Sequence, residues 1–405
     1  MINDDYARFQ SIAQRELCMP TQIDWSGARI LVTGGTGCIG SMLMQQLAQH
    51  RPERLISVSR GDTDSYPLVP GALYYRNVDI RDRERLEILT RFARPDIIFH
   101  TAAQRSPALA ETAVHRTVTT NVFGTRNVLH VAGELGVPVV MASTGKAVRP
   151  YSPDMYTASK RCAEWLGVCA AQSGLQVSAA RFTHVIDNSI IVQRLRDWAH
   201  AGEPIRLHSA DIAFYVQSAA ESAQLLQIAS AGAVTGELRV HAIRDLGWPV
   251  ALMDVAEGVR AELNSASPIT VVGYERGYEE QAYPGLYDPA TAGDVSPLIN
   301  LFEAARTEPS VCPMVDAFPL QMRSSDAALQ QLALLECACS ARDDELLRQQ
   351  LRTLTWLALD AALAMADPVA VKRSVTVTEP HLAELNADWQ RMFAMTQAVL
   401  EPAIT

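Results

Sequence analysis

The sequence predicts an α/β fold: a doubly wound parallel sheet, a smaller α/β part after it, and a helical extension at the end of the chain. Three observations carry this. Short apolar runs alternate with helical patterns as far as residue 182. The first run ends in a glycine-rich turn, TGGTGCIG, that opens a helix. The fifth run is followed, in MASTGKAVRPYSPDMYTASKR, by a tyrosine and a lysine four positions apart.

The elements follow in order. Residues 1–27 form a polar lead-in. ARILVTGG reads as a buried strand entering the turn, and GCIGSMLMQQLAQH as the helix it feeds. ERLISVS, LYYRNVDI, PDIIFHTAA and PVVMAST are the next apolar runs, and QVSAARF at 176–182 is the sixth strand. Strands alternating with helices at this pace mean a parallel sheet covered on both faces. Residues 28–182 are therefore expected to form one Rossmann-type dinucleotide-binding domain. Beyond it the alternation loosens, with helices expected near 189–201 and 218–230 and strands near 236–240 and 269–273. Residues 183–305 are read as a substrate-binding part, some segments of which return to the core, and the Pro-containing 306–323 as a linker. Residues 324–405 are read as the helical extension: a hairpin with capping Ser and Asp residues, then a third helix over TEPHLAELNADWQRMFAMTQAVL. Leu382, Leu385, Trp389 and Phe393 share one stripe of that third helix, suited to core or to a subunit contact.

Composition narrows the function. A chain of 405 residues with 48% hydrophobic and 20% charged content buries a substantial core. The formal net charge of −10, with no Lys/Arg-rich run, argues against nucleic acid or an anionic membrane as the main partner. No run approaches the roughly 20 apolar residues of a membrane span. The N-terminus lacks the basic start and apolar core of a signal peptide, so a cytoplasmic location is expected. The seven cysteines, Cys18, Cys38, Cys162, Cys169, Cys312, Cys337 and Cys339, contain no CxxC pair. Neither a disulfide framework nor a metal site is indicated.

The turn places Gly34, Gly37 and Gly40 between strand and helix, with Thr36, Cys38 and Ile39 among them. Glycines there let the backbone turn tightly and approach a pyrophosphate seated on the helix N-terminus. At the end of the second strand an acidic residue would bond the ribose hydroxyl of NAD. The sequence has Ser59 and Arg60 instead, which suit a 2′-phosphate and favour NADP, with NAD as the alternative. Asp79, with Ile80 beside it, follows the third strand and is a candidate for the adenine edge. Thr101, Ala102 and Ala103 follow the fourth and give the cofactor a small-residue wall.

Tyr156 and Lys160 stand one helical turn apart and share a face. A lysine charge beside a tyrosine favours the phenolate and is expected to lower a phenol pKa that starts near 10. Such a tyrosine takes the proton of a secondary alcohol whose hydride leaves for nicotinamide. Ser143 and Thr144 end the fifth strand at the sheet's carboxyl edge, where one of their hydroxyls is placed to share that proton.

TGGTGCIG, NVDIRD, HTAA, TTNVFGTRNV, STGKAV and YTASKR, in that order, resemble the extended short-chain dehydrogenase/reductase superfamily. Within it the likeness is to the polysaccharide-biosynthesis nucleotide-sugar 4,6-dehydratases and epimerases, from about residue 28 to about 290. The resemblance implies that Tyr156 is the C4-oxidising base, Lys160 its partner and holder of the nicotinamide ribose, and Thr144 the orienter of the sugar hydroxyl. Lys146 would be the base that removes a proton beside the transient ketone, and Asn121 would belong to the cofactor site. The aspartate that protonates the departing hydroxyl in the dehydratases is here Gly145. Without that acid, 4,6-dehydration is disfavoured unless His184, Asp154 or Asp187 supplies the proton. Gln104, Arg105, His184, Asn188 and Arg276 are the candidate substrate contacts. The expected function is oxidation of a secondary alcohol on a nucleotide sugar or sugar-like substrate, as dehydrogenase/reductase or epimerase. One alternative is the same redox chemistry on a non-nucleotide natural-product or polyol intermediate. A second is a catalytically silent dinucleotide sensor. The likeness also implies a homo-oligomer, with the Tyr156 helix at the subunit contact.

Overall fold

A computed structural model describes residues 4–60, 73–274, 282–291 and 293–400. All six expected strands are present: β1 (Arg29–Thr33), β2 (Arg54–Ser59), β3 (Leu73–Asn77), β4 (Ile97–His100), β5 (Val139–Ala142) and β6 (Val177–Ala180). They pair in parallel in the order β3-β2-β1-β4-β5-β6, and Ile30, Leu31 and Val32 of the central β1 are buried on both faces. The chain builds outward from β1 to one side and then, from β4, to the other. The carboxyl ends of β1 and β4 therefore flank the switch point, where α/β sheets bind ligands.

The sheet continues past β6. Strand β7 (Arg239–Ile243) adds in parallel, three residues later than expected. Beyond it, β8 (Glu308–Pro309) and β9 (Val315–Pro319) close the edge as antiparallel strands and bring the sheet to nine. Residues 306–323, expected to be a linker, thus carry two strands of the main sheet. Pro309 and Pro319 lie at strand ends on the edge, where a missing N–H is tolerated, and Val315, Ala317 and Phe318 between them are buried.

The lead-in is also structured. Helix Asp4–Ser11 and the turn after it bury Tyr6, Phe9 and Ile12, a spacing of three hidden among charged neighbours. These residues join a second core with the helices Ile190–Ala201 and Leu252–Glu262. The short parallel pair Ile205–Leu207 and Ile269–Val271 completes this smaller α/β part. Helix Ala219–Ala231 confirms the other helix expected beyond 183 and packs back on the main sheet.

The extension forms the expected hairpin, Asp326–Ala341 and Asp344–Leu363, capped by Ser325 and Asp343. The expected third helix, over 378–400, is shorter: it opens as a 3₁₀ turn, Glu379–Glu384, and Asn386 caps a fresh start at Ala387–Ala398, while an unexpected helix, Pro368–Thr378, precedes it. Leu385, Trp389 and Phe393 are buried and Leu382 packs against them, so the stripe is core. Tyr151 stacks on Trp356 with ring centroids 3.6 Å apart, while its hydroxyl bonds Asp388 and accepts from Arg352. The second hairpin helix lies along helix Met155–Gln172, which buries 14 of its 18 residues within this one chain. The helix expected at a subunit contact is covered instead by the chain's own extension. Among the described residues no helix is long and apolar enough to cross a membrane.

Two strand histidines make folding pH-dependent. Burial pushes His100 of β4 down to about 3 and His241 of β7 down to about 4. Both rings stay neutral in the fold, while the unfolded chain takes up protons below its ordinary value near 6.5. Stability therefore falls as pH drops from about 6.5 towards 4, by roughly 2 kcal/mol per ring at pH 5. Urea midpoints at pH 7 and pH 5 should show this loss, and His241→Gln should reduce it.

Candidate active site

The turn after β1 is built by its glycines. Gly34 adopts φ +76°, and a methyl group there would lie 2.6 Å from the backbone nitrogen of Ala102. One at Gly40 would lie 2.2 Å from the Gly34 carbonyl oxygen, so helix Cys38–Gln49 approaches the turn as closely as it does because residue 40 has no side chain. The helix N-terminus and its free N–H groups then face a cleft of about 1640 Å³. Gly34, Thr36, Gly37, Cys38, Ile39, Gly40, Ser59, Arg60, Ile80, Thr101, Ala102 and Ala103 all lie on its wall. A dinucleotide fits this cradle by an observation of the fold itself, since side chains at 34 and 40 would destroy it. Thr36 donates to the Ser59 hydroxyl. Arg60 feels the charges of Arg81 and Arg116, which with burial lower its pKa, against the opposing pull of Asp79.

At the other end of the cleft, β5 runs into Ser143 and Thr144. Asp154 caps helix Met155–Gln172 by accepting from the Thr157 N–H, which sets Tyr156 in the first turn. The Thr144 side chain lies close to that of Tyr156 and acts to lower its pKa. Lys160 donates to the Ala142 carbonyl at 2.7 Å, and burial lowers its pKa to about 8. Tyr156 departs from expectation. Its pKa is raised, because burial outweighs the lowering by Thr144 and by Arg105, and Lys160 is committed to the β5 carbonyl. Lys146, on the same wall, is lowered by burial and by Arg149, with Asp154 opposing.

The two hydroxyls differ. Ser143 donates to Glu164 at 2.7 Å and is buried. Glu164 also receives Arg181 and Arg161, and Arg181 reaches Glu303 at 2.7 Å, all with almost no solvent contact. Ser143 thus anchors the end of β5, and Thr144 is the hydroxyl beside Tyr156.

Other expected residues separate. Gln104 and Asn121 are buried off the cleft wall: Asn121 bonds the Gln104 backbone and Ser159, and the Gln104 side chain bonds Ser106 and Thr117. Asp79 forms an ion pair with Arg81 at 2.6 Å. Arg105 lines the cleft. Asn188 ends the 3₁₀ turn Ile186–Asn188, and Arg276 lies outside the described residues. His184 lines the cleft, contacts Ser189 at 2.5 Å, and is pushed down to about 4 by burial, so it is neutral near pH 7. Asp154 is the helix cap, and Asp187 accepts from the Ala219 N–H at 2.6 Å. Sequence reasoning missed Leu298, Arg149 and Arg194 on the same wall. Of these only Arg149 had a signal, its place in the GKAVRP run. No group of metal-binding side chains occurs among the described residues.

A parallel sheet with a glycine cradle at one end of its carboxyl edge and Thr144, Tyr156 and Lys160 at the other defines an extended short-chain dehydrogenase/reductase. Within that class the chain belongs to the polysaccharide biosynthesis protein family, whose model matches residues 30–286. The capsular polysaccharide biosynthesis protein CapD of Staphylococcus aureus is 29% identical over 244 residues, 57% of this chain and 40% of CapD. The UDP-N-acetylglucosamine 4,6-dehydratase (inverting) of Campylobacter jejuni is 32% identical over 152 residues, 36% of this chain and 44% of that enzyme. The chain thus matches less than half the length of either relative. Among solved structures, Pen from Bacillus thuringiensis superposes with a TM-score of 0.62 at 21% identity, over 74% of this chain and 89% of that one. The UDP-glucose 4-epimerase of Thermus thermophilus, in complex with NAD, gives 0.54 at 22% identity, over 62% and 88%. These two show the fold.

The buried ion cluster should be intolerant of losing one member. Glu164→Ala is expected to cost about 3–5 kcal/mol, since it leaves two guanidinium groups without their shared carboxylate. The fall in urea midpoint measures it.

Proposed function

We propose that the protein is an NADP-dependent short-chain dehydrogenase/reductase acting on a secondary alcohol of a nucleotide sugar, as a dehydrogenase/reductase or an epimerase. The observation that carries this is the placing of Thr144, Tyr156 and Lys160 together on the wall of a cleft whose other end is the glycine cradle. The names of the relatives, a UDP-N-acetylglucosamine dehydratase and a UDP-glucose epimerase, support a nucleotide-sugar substrate. Arg60 on the cleft wall beside Ser59 supports NADP over NAD, since a guanidinium and a hydroxyl suit a 2′-phosphate. Free thiols at Cys18, Cys38, Cys162, Cys169, Cys312, Cys337 and Cys339 support a cytoplasmic setting.

Gly34, Gly37 and the N-terminus of helix Cys38–Gln49 would hold the pyrophosphate, and Lys160 the nicotinamide ribose. When bound, nicotinamide supplies the hydride acceptor. Thr144 orients the substrate hydroxyl, and its proton passes to the Tyr156 oxygen. In the reverse, reductive direction the Tyr156 phenol, whose pKa burial raises, donates its proton to the forming alkoxide. Lys146, eased towards its neutral form by burial, is the base for proton removal beside a ketone. Full 4,6-dehydration is disfavoured: Gly145 has no proton to give, His184 is neutral, and Asp154 and Asp187 are held by backbone N–H groups.

Tyr156→Phe should lower kcat for NADP-coupled turnover of a UDP-sugar about 10²- to 10⁴-fold while NADPH binding, read by fluorescence, is retained. Unchanged turnover would remove Tyr156 from the reaction. Arg60→Ala should weaken NADPH binding roughly 10- to 100-fold and leave NADH binding unchanged.

A further inference from the structure

The wall beside Thr144 has two chemistries. Lys146 and Arg149 make one side cationic. Gly145, Leu298 and Phe182 make the other side apolar. The Gly145 N–H donates to the Phe182 carbonyl at 2.6 Å, which fixes the backbone of residue 145 against that side. A methyl group added at Gly145 would lie 2.7 Å from Leu298 Cδ2 and 3.3 Å from the Phe182 oxygen. Leu298 therefore fills the space into which any side chain at 145 would project.

Leu298 is held there from several directions. Its carbonyl accepts from Arg181 at 3.0 Å, its N–H donates to the Ser296 hydroxyl, and the Ser296 N–H donates to Asp316 on β9. It is 6% exposed, so its side chain is packed in place. Leu298 packs on the residue next to Thr144 and lines the same cleft, so a substrate with its carbinol on Thr144 and Tyr156 would bring the substituent of a neighbouring ring carbon to this leucine. A hydroxymethyl group there loses water and gains no partner from Leu298, whereas a methyl group gains contact.

We infer that Leu298, packed on Gly145, is a specificity-determining residue that selects a deoxy sugar, one carrying a methyl rather than a hydroxymethyl group on the ring carbon next to the carbinol. The inference rests on the reading of Tyr156 as proton carrier for a sugar alcohol or ketone. It also places the reaction in a sequence: the substrate, as its ketone, is supplied by an enzyme that oxidises the carbinol, expels water from the hydroxymethyl carbon and returns the hydride to that carbon, an expulsion for which residue 145 here offers no acid.

The test compares UDP-galactose with UDP-6-deoxygalactose, and UDP-glucose with UDP-6-deoxyglucose. Dissociation constants are measured on the NADP-loaded Tyr156→Phe protein, which reads the pocket without needing turnover. A hydrophobic pocket discriminates against an added hydroxyl by up to about 10²-fold, so the 6-deoxy member of one pair should bind roughly 10- to 100-fold more tightly. Leu298→Ser in the same background should bring the pair within about threefold, and Leu298→Met, which keeps an apolar side chain of similar volume, should preserve the preference. Equal binding of both members, tighter binding of the hydroxymethyl sugar, or no binding of any of the four would overturn the inference. So would a preference that survives Leu298→Ser in a protein with unchanged thermal midpoint. A deoxy preference in binding with no turnover by the unsubstituted enzyme would instead leave the role of Leu298 standing and count against the proposed redox function.

Discussion

A guanidinium with no access to solvent has to be neutralised where it lies, and Arg181 is such a group. It stands just past the end of β6 and is answered by Glu164 from the Tyr156 helix and Glu303 from a segment far along the chain. Arg161 closes the cluster as a second cation. With two guanidinium and two carboxylate groups in mutual contact, the charges balance and every carboxylate oxygen has a donor. Three elements that share no sequence neighbourhood are thereby fixed to one another. Ser143 enters through Glu164, so the end of β5 is set by the same cluster. Leu298 enters through its carbonyl, so the residue facing Gly145 is set by it too. Removing any member leaves a buried charge unpaired, which is why one cluster governs both the end of β5 and the wall opposite it.

Much of this was legible in the sequence, for a physical reason. A parallel strand buried on both faces must be apolar throughout, so LVT, LISV and VVMA announce themselves without neighbours. The glycine turn is legible because its geometry admits no side chain at Gly34 or Gly40. Strands near the sheet edge lack that signature. Val315–Pro319 is bracketed by prolines that read as breakers, and only its pairing with β7 shows that they mark the ends of a strand. The lead-in helix was missed because Tyr6, Phe9 and Ile12 are spread one per turn among charged residues, and what buries them is a helix some 250 positions away.

The site divides in the same way. Positions set by backbone geometry, the cradle and the Tyr156 helix, lie on the cleft as expected, because local spacing dictates where they fall. Positions with long-range partners follow no such spacing. Asn121 and Gln104 are polar residues beside motif segments, yet their bonds run to each other and to Ser159, Ser106 and Thr117. Leu298 carried no sign of site membership, since a leucine in a segment such as DVSPLIN is ordinary. The electrostatics are also a tertiary property. A lysine four residues from a tyrosine implies a lowered phenol pKa only if the ammonium faces the hydroxyl. Here it faces the Ala142 carbonyl, and burial decides the direction.

The Tyr156 helix is therefore restrained on two sides by unrelated means. Toward the sheet, Arg161 and Glu164 bind it into the buried ion cluster. Away from the sheet, helix Asp344–Leu363 covers it, and Tyr151, just before its start, is clamped between Trp356, Arg352 and Asp388. A reacting oxygen has to be placed to within a fraction of an ångström, and a misplacement of about 1 Å costs roughly 10²-fold in rate. A one-sided contact would leave the first turn, which bears Tyr156, free to tilt. The extension supplies the opposing contact from within the same chain, so the position of Tyr156 does not wait on a second subunit. On this argument residues 324–400 support the proposed site as much as the sheet does, although they contribute no side chain to the cleft.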